Sequence, residues 1–181
     1  MSRPRLEPGR TVFLDRDGTV NESPPEGEYV TSPEGVRLLD GAGEAIRLLN
    51  EHPAKVVVVT NQRGIALGKM TEADLAGVHA RLERELADSG AHLDAILHCP
   101  HHEGACECRK PGTGMFERAA REVDGVELAG AAMIGDTARD VEAGNRLGLT
   151  TVRLGRTANG EPAPDHEARD LLAAVRLLTS A

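Results

Sequence analysis

From Thr11 to Leu154, short β-branched runs alternate with segments of helical period. That alternation constrains the fold more than any other feature of the chain. Strands are predicted at residues 12–14, 55–60, 93–97, 131–134 and 150–154. Helices are predicted at 42–50, from a Thr71/Asp74 capping box to about 89, and at 114–123, 139–147 and 165–178. Such a β/α succession has one economical solution, a parallel sheet with helices on both faces. Residues 21–35 hold three prolines and two glycines and read as an ordered loop over the first strand's tip. No repeat is visible, so residues 1–181 are expected to form one domain.

The strand ends carry the chemistry. The run Val12-Phe13-Leu14 stops at Asp15-Arg16-Asp17-Gly18-Thr19, placing two carboxylates where open α/β sheets bind ligands. Two such acids repel unless a cation sits between them, and hard oxygen ligands favour Mg²⁺. Thr60 ends the second strand, Lys110 stands where a helix is about to begin, and Asp136 ends the fourth strand. Three acids around a cation, one lysine and one hydroxyl suit a phosphoryl group. Asp15 is the expected nucleophile, and Asp17 the group that protonates the leaving oxygen and then deprotonates water. Asp140 either supports the metal shell or merely occupies the first turn of its helix, and the latter is favoured.

All three cysteines lie in one short loop, where Cys99-x-His101 is followed by Cys106-x-Cys108. That spacing matches a closed, structural tetrahedral Zn²⁺ site. His101 is the better-spaced histidine; His98 and His102 are expected at the surface or behind the ligands. Three thiols without a disulfide pattern suit a reducing compartment, so the cytoplasm is expected. A net charge of −8 and a scarcity of aromatics argue against nucleic-acid or membrane partners. With no hydrophobic stripe to suggest a dimer, a monomer is expected.

The four motifs, Asp15-Arg16-Asp17-Gly18-Thr19, Thr60, Lys110 and Gly135-Asp136, resemble those of the haloacid dehalogenase superfamily. The resemblance implies a three-layer Rossmann-like α/β fold, with Asp15 as nucleophile and Asp17 as general acid/base. It also implies Mg²⁺ held by the carboxylates of Asp15 and Asp136 and the backbone carbonyl of Asp17. An acid at Asp17 separates this chain from the dehalogenase branch and from the P-type ATPases, leaving phosphatases.

Cys-Pro-His-His, then Cys-Glu-Cys-Arg-Lys-Pro, resembles the zinc-containing branch that holds heptose 1,7-bisphosphate and histidinol-phosphate phosphatases. Thr60-Asn61-Gln62-Arg63-Gly64-Ile65-Ala66 resembles the heptose enzymes, whereas the short zinc loop is seen among the histidinol enzymes. Arg63, which replaces a small serine, either adds charge for a bisphosphate or is a solvated turn residue. The resemblance places contacts to a small sugar phosphate on Ser23, Glu26, Asn61, Gln62, Arg63 and Arg109. No insertion is large enough for a cap domain, so a capless, open site is expected. Removal of a heptose 7-phosphate is the expected reaction, with histidinol phosphate the alternative. A nucleic-acid 3′-end phosphatase and a non-catalytic zinc module stand further off.

Overall fold

A computed structural model describes residues 6–180. Residues 1–5, part of the polar lead-in, lie outside the described residues. Six strands form one sheet: β1 (Thr11–Leu14), β2 (Lys55–Asn61), β3 (Ala95–Cys99), β4 (Ala132–Gly135), β5 (Thr150–Leu154) and β6 (His166–Ala168). Their spatial order is β3-β2-β1-β4-β5-β6, and every pairing is parallel. Chain direction across the sheet therefore reverses beside β1. That is where an open parallel sheet leaves a crevice at its carboxyl edge.

Successive side chains of a strand face opposite sides, and β1 shows both. Val12 and Leu14 enter one apolar layer with α1 (Ala42–Glu51), α2 (Glu72–Asp88) and α5 (Leu171–Thr179). Phe13 enters the other, with α3 (Gly114–Glu122) and α4 (Ala138–Arg146). The chain's two phenylalanines meet there edge to face, with Phe13 and Phe116 ring centroids 4.9 Å apart. All four residues of β1 are buried, so Asp15 emerges from a strand packed on both faces.

Two predicted elements are corrected. Residues 93–97 were expected as the third strand, but the ladder runs from Ala95 to Cys99. Asp94 ends the strand at its start, because its carboxylate takes up Val56 N–H (2.8 Å) and Lys55 Nζ (2.9 Å). The shift brings Cys99 into the sheet, opposite Asn61.

The predicted helix over 165–178 begins instead with strand β6, followed by α5. Asp165 accepts from Thr151 N (2.8 Å) and Oγ1 (3.0 Å), which fastens this segment beside β5. Asp170 then restarts the chain as a helix N-cap, accepting from Ala173 N at 2.7 Å. Leu171, Ala174, Val175 and Leu178 supply the apolar face. Asp170→Ala is expected to cost about 1 kcal/mol in chemical unfolding, the usual worth of such a cap. Among the described residues, no helix is long and apolar enough to cross a membrane.

Candidate active site

Asp15 follows β1 and is only 8% exposed; its N–H continues the ladder to Ile134 O. Lys110 reaches it from a loop 95 residues away, with Nζ 2.7 Å from Asp15 Oδ1 and 2.6 Å from Asp140 Oδ1. The lysine is held by its backbone too. Asn61 Oδ1 accepts from Lys110 N, and Asn61 Nδ2 donates to Lys110 O, each at 3.0 Å. Asn61 thus fastens the tip of β2 to the Lys110 loop.

Asp140 does sit in the first turn of α4, where its Oδ2 accepts from Thr137 N and Oγ1 in a capping box. Its other oxygen lies on Lys110, and the residue is 1% exposed. One carboxylate therefore serves as both helix cap and lysine anchor.

Glycines let the carboxylates close in. A Cβ on Gly18, whose φ is +83°, would stand 2.1 Å from Asp136 Oδ2. One on Gly135 would stand 2.4 Å from the Asp140 carboxyl carbon. Asp15, Asp136 and Asp140 consequently place carboxylate oxygens within 4.8 Å of one another.

Burial pushes the Asp15 carboxyl well above its ordinary pKa; Asp140 pushes the same way, and Lys110 opposes both. Asp136 is raised by burial and then by Asp140. Lys110 is pushed up to about 12: burial pulls it down, but Asp140 and Asp15 outweigh that. Three acids against one lysine leave a local excess of negative charge. Asp136 Oδ1 is buried without a hydrogen-bond partner. With both Asp140 oxygens engaged, Asp15 and Asp136 are the side chains that fit a hard divalent cation.

A cation there competes with protons at carboxyls that hold them unusually tightly. Mg²⁺ affinity should therefore weaken as pH falls, ahead of the range in which ordinary carboxylates titrate. Calorimetric titration at a series of pH values checks this.

Asp17 faces a different environment. Its Oδ1 accepts from Arg16 Nη2 (2.9 Å), Arg16 Nε (3.1 Å) and Asn21 Nδ2 (2.9 Å). Its Oδ2 accepts from Arg16 Nη2 (3.0 Å) and Gln62 Nε2 (2.9 Å). Thr60 is 1% exposed and accepts from the same Gln62 amide at 2.9 Å.

A cleft of about 240 Å³ joins these groups, lined among others by Asp15, Asp17, Thr60, Lys110 and Asp136. Of the expected substrate contacts, Ser23, Glu26, Asn61 and Arg109 line it. Gln62 and Arg63 do not. Gln62 is wholly buried, since its N–H extends the ladder to Cys99 O (2.8 Å) and keeps it in the sheet layer. Arg63 lies half-buried outside the cleft wall, with its Nε unpartnered. Arg109 lines the cleft with Nε and Nη1 buried and unpartnered, donors suited to a ligand anion. A larger cleft, about 520 Å³, lies past Gly18 and Asp136 but touches neither Asp15 nor Lys110.

The cysteine loop closes as its spacing predicts. Cys108 Sγ lies 3.2 Å from Cys99 Sγ, Cys106 Sγ and His101 Nδ1. Cys99 Sγ lies 3.5 Å from His101 Nδ1 and from Cys106 Sγ. Tetrahedral Zn²⁺ with bonds of about 2.3 Å to sulfur needs ligand atoms roughly 3.8 Å apart, close to this cage. Burial raises the thiol pKa of Cys99 and of Cys108, so a cation is what would hold them as thiolates. His98 instead meets Glu72 at 2.8 Å, and His102 is exposed.

An all-parallel sheet with this acid and lysine cluster at the end of its first strand defines a hydrolase of the haloacid dehalogenase type. A HAD-hydrolase-like family model matches residues 107–174. The chain is 40% identical over 167 residues to the D-glycero-β-D-manno-heptose-1,7-bisphosphate 7-phosphatase of Yersinia pestis, covering 85% of this chain and 87% of that one. It is 37% identical to the D-glycero-D-manno-heptose-1,7-bisphosphate 7-phosphatase of Chlorobaculum tepidum, over 94% of each. The crystal structure of D,D-heptose 1,7-bisphosphate phosphatase from B. bronchiseptica, complexed with magnesium and phosphate, superposes with a TM-score of 0.82. It is 36% identical and covers 92% of this chain and 96% of that one. The chain belongs to the heptose-bisphosphate phosphatase family of the haloacid dehalogenase superfamily.

Sequence reasoning missed two features: the Arg16 guanidinium on Asp17 and the second role of Asp140. Only Asp140 carried a local signal, the Thr-x-x-Asp capping box.

Proposed function

We propose that this protein is a phosphoric monoester hydrolase that removes the 7-phosphate of D-glycero-D-manno-heptose 1,7-bisphosphate. The observation that carries the reading is Lys110 fixing Asp15 at the floor of a cleft shared with Asp17, Thr60 and Asp136. Kinship with the heptose enzymes supports the substrate, and so does the unpartnered Arg109 guanidinium, which suits the second phosphate of a bisphosphate.

Asp15 attacks phosphorus, forming an aspartyl-phosphate as the sugar oxygen leaves. Asp17 gives that oxygen its proton, then takes one from the water that attacks the phosphoenzyme. Lys110 and the Thr60 hydroxyl neutralise and hydrogen-bond the phosphoryl oxygens. Mg²⁺, held by Asp15, Asp136 and the backbone carbonyl of Asp17, supplies further charge neutralisation when bound. Zn²⁺ on Cys99, His101, Cys106 and Cys108 pins the loop that carries Arg109 and Lys110. The protein works as a cytoplasmic, capless single-domain monomer on a small sugar phosphate, without nucleic-acid or membrane partners. Ser23, Glu26, Asn61 and Arg109 face that substrate.

Parallel assays with Mg²⁺ test the reading. Phosphate release from heptose 1,7-bisphosphate well above that from histidinol phosphate is expected, and the reverse ranking overturns the assignment.

A further inference from the structure

Arg16 stands between the two catalytic aspartates and is 0% exposed, a buried charge that the mechanism above does not use. In an extended segment alternate side chains share a face, so Asp15 and Asp17 point together and Arg16 points away. The chain then curls sharply. Thr19, Val20 and Asn21 N–H groups all converge on the Arg16 carbonyl, at 3.2, 2.8 and 3.1 Å.

This curl lets the guanidinium turn back onto the neighbouring carboxylate. Its Nε and Nη2 contact Asp17, while Nη1 lies 3.1 Å from His79 Nε2 on α2. Arginine only donates, so His79 must present a lone pair there and carry its proton on Nδ1. The imidazole is fitted to that role: burial, then Arg16, lower its pKa to about 3, so it is neutral. Gln62 and Asn21 hold the remaining sides of the carboxylate. A proton donor needs its carboxyl aimed within a few tenths of an ångström, and a side chain free to rotate would lose that aim.

We propose that Arg16 and His79 are positioning residues for the general acid: His79 orients the Arg16 guanidinium, and Arg16 sets the plane of the Asp17 carboxylate. This rests on the phosphatase reading and adds a separable consequence. Proton donation matters for a sugar alkoxide, a strongly basic leaving group, and hardly at all for p-nitrophenolate. Damage to Asp17 positioning should therefore appear selectively in kcat/KM for the sugar ester, because kcat/KM reports only the steps up to cleavage of the ester bond.

The test compares wild type, His79→Leu, His79→Gln and Arg16→Met on heptose 1,7-bisphosphate and p-nitrophenyl phosphate, with Mg²⁺ present. His79→Leu keeps bulk and removes the acceptor; His79→Gln restores an acceptor oxygen. Against the sugar ester, Arg16→Met should lower kcat/KM about 100-fold, the lower end of general-acid effects, and His79→Leu, one contact further from the acid, about 10-fold. Against p-nitrophenyl phosphate both should stay within about 2-fold of wild type, and His79→Gln should recover most of the loss on the sugar ester. If Arg16→Met does not fold, the two His79 variants decide. An equal fall on both esters, or no fall on either, overturns the proposal. A wild type that hydrolyses neither ester overturns the phosphatase reading itself, and the proposal with it.

Discussion

Asp15→Asn is expected to lower kcat by about 10⁴-fold or more, because an amide is no substitute for the attacking carboxylate. The same change should leave metal-free stability unchanged or raised. Asp15 belongs to a buried set of three acids balanced by one lysine, and burial already disfavours its charge. Lys110 would not be stranded by the exchange, since Asp140 remains 2.6 Å away. The outcome is thus a dissociation of stability from turnover: a folded, inert protein whose Tm without Mg²⁺ does not fall. Thermal melts and phosphate release on one preparation check both halves. Loss of activity through unfolding would instead be a different explanation, excluded if the melt is intact.

The second large effect is expected at the cysteine loop. Cys108 contacts all three other members of the cage, so Cys108→Ser removes its central contact. Zinc sites of this type supply about 10–16 kcal/mol of apparent binding energy in small peptides, where folding and binding are one event. Here two apolar layers carry the fold and the loop meets only one of them, at Cys99, Cys106 and Cys108, so global unfolding is not expected. Loss of order should be confined to the stretch between Cys99 and Arg109. Arg109 would then lose its place in the cleft, while Lys110 stays tied by Asn61, Asp15 and Asp140.

Turnover should drop on the order of 100-fold, the scale at which small misplacements of catalytic groups act. The variant should also lose bound zinc by elemental analysis and gain hydrogen exchange at the loop. Unchanged exchange and activity in a zinc-free variant would count against a structural role.

Much of this was legible because its causes are local. An apolar run that stops at Asp-x-Asp-Gly, or Cys-x-His followed by Cys-x-Cys, announces itself within ten residues. The strand-helix alternation likewise places Asp15, Thr60, Lys110 and Asp136 at one edge of the sheet without further information. What stayed hidden depends on long-range contacts. Nothing near Arg16 reveals that its charge is buried, because beyond the adjacent Asp17 its partner is His79, far along the chain on α2. The family resemblance offers Gln62 as a substrate contact; only the fold shows it buried just past β2, with its amide on Asp17 and Thr60. Strand β6 was hidden for a similar reason: it has only three residues, two of them polar, and its place depends on the Asp165–Thr151 contact.

The proposition on which the rest depends is that the carboxylate of Asp15 itself becomes phosphorylated. Crystals grown with Mg²⁺ and beryllium fluoride test it most directly. The account predicts beryllium bonded to an Asp15 oxygen, with Asp17 beside the axial position and Lys110 on a fluorine. Beryllium fluoride bound elsewhere in the cleft, with Asp15 bare, would contradict it.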